Sequence, residues 1–544
     1  MGHESARSEG AYDAIVIGGG HNGLVCAAYL AKAGKRVRVL ERRAILGGCA
    51  STEPLWPGYR VSAAAYVISL FLPEIIRDLR LKPYGLDILP RNPSSFTPLL
   101  DGRSLVMGPD ERATCESIGR FSRTDAERYP SYNAMLEEIA AALEPLLQRS
   151  APDPLPLPAE WRRVGLAKRA RDAGAMWAFY RTLDRLGARL PEAIEFLVGA
   201  ARPILERWFE SDVLRATLAT DAIIGAFASI SAPGTAYVLL HHVMGEAGGA
   251  RGVWGYVRGG MGGLADALER ACVDLGVTIE RECEVVRVVV EQGRTRGVVL
   301  ADHRVIEAPC VASSVDAHWT FERFVAADEL PDGFRKAVAR IDYASASLKI
   351  NLALGELPRF RAAPPSTDGE CPHGTIHIAP TLDHIERAYA DARLGRPSGE
   401  PVLEITIPSI VDPSLAPTGK HVMSMFAQYA PYAVADGNWD SLKEDFADRC
   451  VALLGQYAPN VPAAVEHRQV LSPLDLERTY RLTGGNIMQG AMHVHQMLFL
   501  RPVPGYADHR SPIRGLYLCG AASHPGGGVM GVAGRNAARE ILRD

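Results

Sequence analysis

Short apolar runs, glycine turns and helix-patterned stretches succeed one another along the chain in an order that already suggests an architecture. The run Ala14-Ile15-Val16-Ile17, entered from Asp13, leads into the glycine-rich Gly18 to Gly23. A helix-patterned stretch, Leu24 to Gly34, and a second apolar run, Arg36 to Leu40, follow. Strand, tight turn, helix and strand in this order predict a βαβ unit. From about 122 to 240 the pattern is mostly helical, broken by the proline-rich loop Pro152 to Pro158. Strand patterning returns after Gly276 with Val277-Thr278-Ile279, then Glu284 to Glu291, the turn Gln292-Gly293-Arg294, and Gly297 to Leu300, which read as short antiparallel strands. Between about 345 and 432, the segments Leu348 to Leu354, Val402 to Ile407 and Val422 to Phe426 predict a second sheet, the floor of a separate domain. Neither an internal repeat nor a low-complexity tail interrupts this order.

Composition narrows the classes. The 544 residues are 47% hydrophobic and 22% charged, ordinary for a globular protein with a large core. A net charge of -4 lacks the basic footprint of nucleic-acid binding. The nine cysteines are scattered, with no CxxC pair and no ligand spacing with histidine, so neither a zinc site nor a disulfide framework is expected, and a reducing, cytoplasmic setting is the default. The first eleven residues are polar, without an apolar signal core, and Ala6 breaks a myristoylation pattern at Gly2. The uncharged run Ala222 to Leu240 is long enough to span a bilayer, but Ser229, Ser231 and Pro233-Gly234 break it, which favours a buried loop and helix lining an apolar chamber.

The chemistry concentrates at the two ends. Gly18-Gly19-Gly20-His21-Asn22-Gly23 is GxGxxG between strand and helix, with Glu41 eighteen residues beyond its last glycine. Such glycines admit a pyrophosphate to the amides of a helix N-terminus, and the acid accepts hydrogen bonds from ribose hydroxyls. Continuation through Arg42 and Arg43 to Gly47-Gly48 favours FAD over a nicotinamide cofactor, with Arg42 able to reach phosphate or ribose oxygens. At the other end, Gly515 to Gly520 reads as strand and turn, followed by Ala521-Ala522-Ser523-His524-Pro525-Gly526-Gly527-Gly528-Val529-Met530-Gly531 and a helix, Val532 to Leu542. A helix starting there would direct its positive end at an electron-rich ring.

These segments, with Gly259-Gly260-Met261-Gly262-Gly263, Thr483-Gly484-Gly485-Asn486-Ile487 and Leu500-Arg501-Pro502, resemble the phytoene desaturase-related flavoproteins, most closely the phytoene dehydrogenase-like or pyridine nucleotide-disulfide oxidoreductase domain branch. The resemblance implies an α/β fold: a Rossmann-like FAD-binding domain of the glutathione reductase and amine oxidase type, interleaved with an α+β substrate domain. Residues 12-90, 250-325 and 475-544 would form the discontinuous FAD-binding domain, and 91-249 with 326-474 the substrate domain. The implied cofactor contacts are Gly18, Gly19, Gly20, Asn22, Gly23, Glu41, Arg42, Gly47, Gly48, Gly520, Gly531 and Val532, with the backbone of Val285 on the adenine. Ala521 stands where the wider superfamily often has an aspartate for the ribityl chain, a departure shared by the desaturases.

Several features have plainer readings beside the chemical ones. His524 in the flavin-facing loop is the candidate catalytic residue, against simple packing. His241-His242 and the pair His493 and His495 read first as structural. Gly260 to Ala265 imitates a second nucleotide motif but lacks a normal strand before it, so oxygen or a quinone is the expected electron acceptor. Cys49 stands alone, which argues against disulfide reduction. The arginine-rich Trp161 to Leu190 segment, interspersed with aromatics, reads either as a peripheral membrane contact or as an ordinary solvated face. The expected activity is FAD-dependent oxidation of a long apolar molecule, a polyene or isoprenoid that is desaturated or isomerised, by hydride transfer to flavin. A flavin amine or amino-acid oxidase and a non-catalytic lipid or prenyl carrier on the same fold are the alternatives.

Overall fold

The computed structural model describes residues 12–153, 166–247, 250–362 and 374–544. Pro154 to Pro158, Trp161, Arg162, Arg163, Cys371 and the N-terminal eleven residues lie outside the described residues.

The βαβ expectation resolves into the strand Ala14–Ile17, the helix His21–Lys32 and the strand Val37–Leu40. All four residues of the first strand are buried, as befits the centre of a parallel sheet covered on both faces. That sheet has five strands in the order Thr278–Glu280, Val37–Leu40, Ala14–Ile17, Cys310–Ser313 and Leu516–Leu518, every pair parallel. Chain segments from opposite ends of the sequence therefore share one sheet. The C-terminal helix Val532–Arg543 packs on His21–Lys32 so closely that a side chain at Gly534 would meet the Asn22 carbonyl oxygen at 2.0 Å.

One expectation is corrected. The sequence pattern predicts an antiparallel arrangement for Thr278–Glu280, yet this strand pairs in parallel with Val37–Leu40. The helix Gly262–Asp274 immediately precedes it and supplies the crossover that a parallel neighbour needs. The antiparallel reading holds for Val285–Glu291 and Arg294–Leu300, joined through Gln292 and Gly293 with φ of 52° and 69°, and extended by Val305–Glu307.

The second sheet has seven strands: Val465–Leu471, Ser347–Leu354, His421–Gln428, Val402–Thr406, Thr375–Ile378, Ser95–Pro98 and Ser104–Met107, in that spatial order. It is wider than the 345 to 432 region, because strands from residues 95 to 107 and 465 to 471 complete its edges. Alternation divides it into two faces. Leu348, Ile350 and Leu352 share a hydrophobic cluster with Trp439, Phe446 and Leu454 of the helix Trp439–Tyr457. Burial of each such side chain contributes roughly 1.5–3 kcal/mol. The opposite face is also buried but largely polar, met by Thr217, Thr220 and Ile223 of the helical region and by Ala63 and Tyr66.

The helical region forms Arg123–Leu147, Leu166–Arg185, Leu190–Val198, Ala201–Trp208, Asp212–Thr220 and Thr235–Val243. The apolar run Ala222 to Leu240 is split between a turn and the nine-residue helix Thr235–Val243. Among the described residues no helix is long and apolar enough to cross a membrane.

Candidate flavin and substrate site

The first turn of the helix His21–Lys32 is the foundation of the site. Its N-cap, Gly20, offers no side chain to the free amides, and Gly20, His21 and Asn22 line a cavity of about 630 Å³. Gly18 has φ +91°, which a side chain would strain, and its carbonyl oxygen accepts the Ser314 hydroxyl at 3.1 Å. A Cβ on Gly20 would meet nothing nearer than the Gly47 carbonyl at 4.0 Å, so the space beside it is open. Gly19 and Gly23 face the other way: their missing side chains admit Leu46 and the Gly18 carbonyl.

Glu41 ends the second strand and is buried. Its two oxygens accept the amides of Gly19 and Arg43, each at 2.7 Å, which fixes the carboxylate at the cavity wall with lone pairs to spare for hydroxyl donors. The Arg42 guanidinium lines the same wall and donates to the Thr479 carbonyl. Gly47 with φ +101° and Gly48 with φ +58° bring the next turn alongside, where Gly47 N–H donates to the Gly19 carbonyl at 2.8 Å. Val285 joins the wall from the start of its strand. His21 Nε2, Asn22 Oδ1 and Arg43 Nη1 are buried without a hydrogen-bond partner. Open glycine positions, uncapped amides, a buried acid at the wall and these orphaned polar atoms fit an extended dinucleotide.

The C-terminal loop closes the cavity from the other side. Ala521, Gly527, Gly528 and Val529 line it, while Gly520, Gly531 and Val532 stand behind the wall. Gly520 abuts the Ser314 carbonyl, and Gly531, with φ +71°, starts the helix against Phe71 and Ile75. The buried Arg501 stood out in the sequence only as part of a motif. Its guanidinium donates to the carbonyls of Ala521 at 2.9 and 3.0 Å and of Gly490 at 3.2 Å, tying this loop to the one before it.

The structure does not bring His524 to this cavity. Its Nε2 lies 3.1 Å from the Leu146 carbonyl oxygen, and the ring borders a second cavity, of about 850 Å³, under the helix Leu166–Arg185. Burial pushes its pKa down to about 4, so it is a neutral packing residue. The catalytic expectation for His524 is therefore corrected: its loop reaches the cavity, and its side chain points away. His242 does line the cavity, stacked on Trp254 and bound to the Val238 carbonyl at 2.7 Å, and burial lowers its pKa as well.

The second glycine cluster is structural. Thr52 Oγ1 accepts from Gly262 N–H at 2.8 Å and Ser62 Oγ from Met261 N–H at 3.0 Å, so this helix start is already satisfied. Cys49 lines the cavity with its thiol pushed up to about 12 by burial, far from a reactive thiolate.

Beyond the nucleotide cradle the same cavity continues as a chamber with walls from other elements. Apolar walls come from Leu136, Ile224, Leu239, Val243 and Val253. The floor is the polar face of the seven-stranded sheet, with Lys349, Phe426, Glu404 and His377 in one cross-strand row. Tyr66 spans from the nucleotide side: its hydroxyl donates to Glu404 at 2.7 Å, and its ring lies under Lys349. Arg91 and Asp221 complete this cluster, none of which the motifs identified. Burial raises the pKa of Glu404, and raises that of Asp221 to about 7.

A discontinuous Rossmann-like cradle beside a sheet-floored chamber defines a flavin oxidoreductase of the amine oxidase type. The chain matches the model of the family described as flavin containing amine oxidoreductase over residues 23–542, and it belongs to that family, whose cofactor is FAD. Among its relatives is pyridine nucleotide-disulfide oxidoreductase domain-containing protein 2 of Rattus norvegicus, 44% identical, with 98% of this chain and 94% of the relative aligned. A limonene dehydrogenase subunit of Castellaniella defragrans is 27% identical over 98% of this chain and 94% of its own. A putrescine oxidase variant shares the fold with a TM-score of 0.59 at 16% identity, covering 98% of this chain and all of that one.

Proposed function

We propose that this protein is an FAD-dependent dehydrogenase that removes hydride from a carbon centre of a largely apolar substrate held in the chamber, as in desaturation. The observation that carries this reading is the continuity of the nucleotide cradle with a chamber walled by Leu136, Ile224, Leu239, Val243 and Val253. Similarity to a limonene dehydrogenase subunit supports the same class of substrate.

Bound FAD supplies the hydride acceptor. The first-turn amides would hold it, with Glu41 accepting from the ribose, Arg42 serving the phosphates, Gly20 and Gly48 leaving room for the backbone approach, and the Val285 backbone serving the adenine. The aliphatic walls orient the substrate and keep water from it. With Cys49 protonated and the second glycine cluster satisfied by Thr52 and Ser62, neither a disulfide nor a nicotinamide is a natural electron partner. Oxygen or a quinone fits that role.

Access for an apolar substrate is supported by the helix Leu166–Arg185. Trp177 and Tyr180 are 62% and 58% exposed and stacked at 5.8 Å, beside exposed Arg169, Arg171, Arg181 and Arg185. Such a face suits peripheral contact with an anionic lipid surface.

The test is anaerobic addition of cyclic and linear terpenoids, their acids and alkyl amines to the FAD-loaded protein, following the oxidised flavin band. Bleaching by a terpenoid or its acid is expected. Bleaching by amines alone would replace this reading with an amine oxidase.

A further inference from the structure

The second cavity, of about 850 Å³, lies between the helices Arg123–Leu147, Leu166–Arg185 and Val532–Arg543 and shares no lining residue with the flavin cradle. Its polar groups gather around Glu540, which accepts from Ser150 Oγ at 2.9 Å, from Arg510 at 2.8 Å and from Arg543. Lys168 and Arg510 meet on Asp508 at 3.0 and 3.1 Å, which brings the first turn of the helix Leu166–Arg185 to the same place. Arg539 directly precedes Glu540, Arg149 directly precedes Ser150, and Arg171 follows Lys168 by one turn. All three are exposed and line the cavity.

Charge is not balanced here. Eight basic side chains line the cavity against three acidic ones, and the acids are engaged: Asp172 with Lys168 at 3.0 Å, Asp508 with Lys168 and Arg510, Glu540 with Arg510 and Arg543. The carbonyls of Leu146 and Gln148 at the end of the helix Arg123–Leu147, another resting place for a cation, are met by His524 and Arg535, each at 3.1 Å. Arg149, Arg171 and Arg539 are left with no ion pair among the described residues. The wall also holds the buried Asn536, with no partner for either end of its carboxamide, and His524, with none for its Nδ1.

Several unpaired cations on one concavity with low-dielectric walls concentrate a positive potential. Guanidinium forks pair with both carboxylate and phosphate oxygens, but a carboxylate offers two oxygens in one plane, whereas a phosphate spreads its oxygens tetrahedrally. Three arginines arriving from three segments suit the tetrahedral anion. A carboxamide and an imidazole acceptor beside them suit hydroxyl groups on the same ligand.

We propose that this cavity binds a hydroxylated phosphate ester, with Arg149, Arg171 and Arg539 on the phosphate. Glycerophosphate is the chemistry shared by its two sources, a soluble ester and a phospholipid headgroup. Trp177 and Tyr180 stand exposed on the same helix whose Gly174, Ala175 and Ala178 line the cavity, so a headgroup at a lipid surface would have a short approach. The site does not rest on the dehydrogenase reading.

Two probes of the FAD-loaded protein test it: calorimetric titration with glycerol 3-phosphate, and flotation with phosphatidylglycerol vesicles against phosphatidylcholine vesicles. Arg149→Gln with Arg539→Gln removes charge from the cavity, and Arg120→Gln with Arg169→Gln removes the same charge from exposed positions outside it. At least one probe should bind, at least tenfold more weakly in the cavity pair and less than twofold more weakly in the outside pair, with the oxidised flavin spectrum unchanged in both. Glycerol 3-phosphate binding assigns the soluble ester; binding of phosphatidylglycerol vesicles alone assigns the headgroup. Arg171→Gln should weaken binding severalfold, and it decides the matter if the cavity pair does not fold. Failure of both probes, with glycerol 3-phosphate at millimolar concentration and vesicles at low salt, would overturn the site. So would equal weakening by the two pairs, or wild-type binding in the cavity pair.

Discussion

At the scale of single residues, Glu41 is the proposed join between cofactor and fold. Its carboxylate accepts two backbone amides and lines the cradle, so Glu41→Ala leaves the Gly19 and Arg43 amides unpaired and removes the proposed ribose contact. Hydrogen bonds to a charged group contribute about 1.5–3 kcal/mol each, so FAD affinity should fall by roughly 10–100-fold in a fluorescence titration. Asp221 makes a different prediction. Its folded-state pKa is raised from 3.8 to about 7, chiefly by burial. The folded state therefore keeps a proton that the unfolded chain has released, and this group's contribution to stability is greatest below pH 3.8 and declines until about pH 7. Asp221→Asn should flatten that decline and raise stability at pH 8 by about 1–2 kcal/mol, a figure reduced for chamber water. Denaturant titrations at several pH values check it. Glu41 was legible because its partners lie within one βαβ unit. Asp221 was not, since its environment is assembled from strands and helices remote in sequence.

At the scale of elements, the seven-stranded sheet packs one face in the hydrophobic core and lines the cavity with the other. Leu352 packs among the residues of the helix Trp439–Tyr457, and Leu352→Ala should cost about 2–5 kcal/mol. Lys349→Met, on the other face, replaces an unpartnered buried amine with an apolar chain of similar length, so the melting temperature should be unchanged or higher. Thermal melts of the two variants distinguish these faces. Alternation in Leu348 to Leu354 announced a strand, but could not reveal that its polar side is buried, because segments remote in sequence, around Ala63 to Tyr66 and Thr217 to Ile223, cover that side of the sheet. The same limit explains Thr278–Glu280: a short apolar segment carries no mark of parallel pairing until the helix before it is placed. His524 shows the converse: its loop lines the cavity through Gly527, Gly528 and Val529, while its own side chain turns to the Leu146 carbonyl.

For the whole molecule, the two chain ends were legible because nucleotide binding demands glycines at fixed spacing, whereas the chamber draws on at least five elements with no shared motif. The basic segment is likewise more ordered in its facing than its composition suggested. Lys168 turns inward to Asp153 at 2.7 Å and to Asp172 and Asp508 at 3.0 Å, which anchors the helix, while Trp177 and Tyr180 face solvent. Sedimentation with phosphatidylserine-rich vesicles should detect binding at low salt that weakens as salt rises, and the double substitution Trp177→Ala with Tyr180→Ala should abolish it. Absence of vesicle binding at low salt would remove the lipid-surface contact.

Cradle and chamber work as one site only if the substrate sits against the chamber walls. Ile224 lines the cavity from the turn before the helix Thr235–Val243, outside the two chain ends that form the cradle, so Ile224→Trp should fill the substrate space and leave the cofactor in place. Stopped-flow absorbance under anaerobic conditions measures this directly, with whichever terpenoid or terpenoid acid bleaches the wild-type flavin. The expected result is an unchanged oxidised flavin spectrum in Ile224→Trp with bleaching slowed at least tenfold. Bleaching at the wild-type rate in a variant that retains FAD would contradict the placement of the substrate in this chamber.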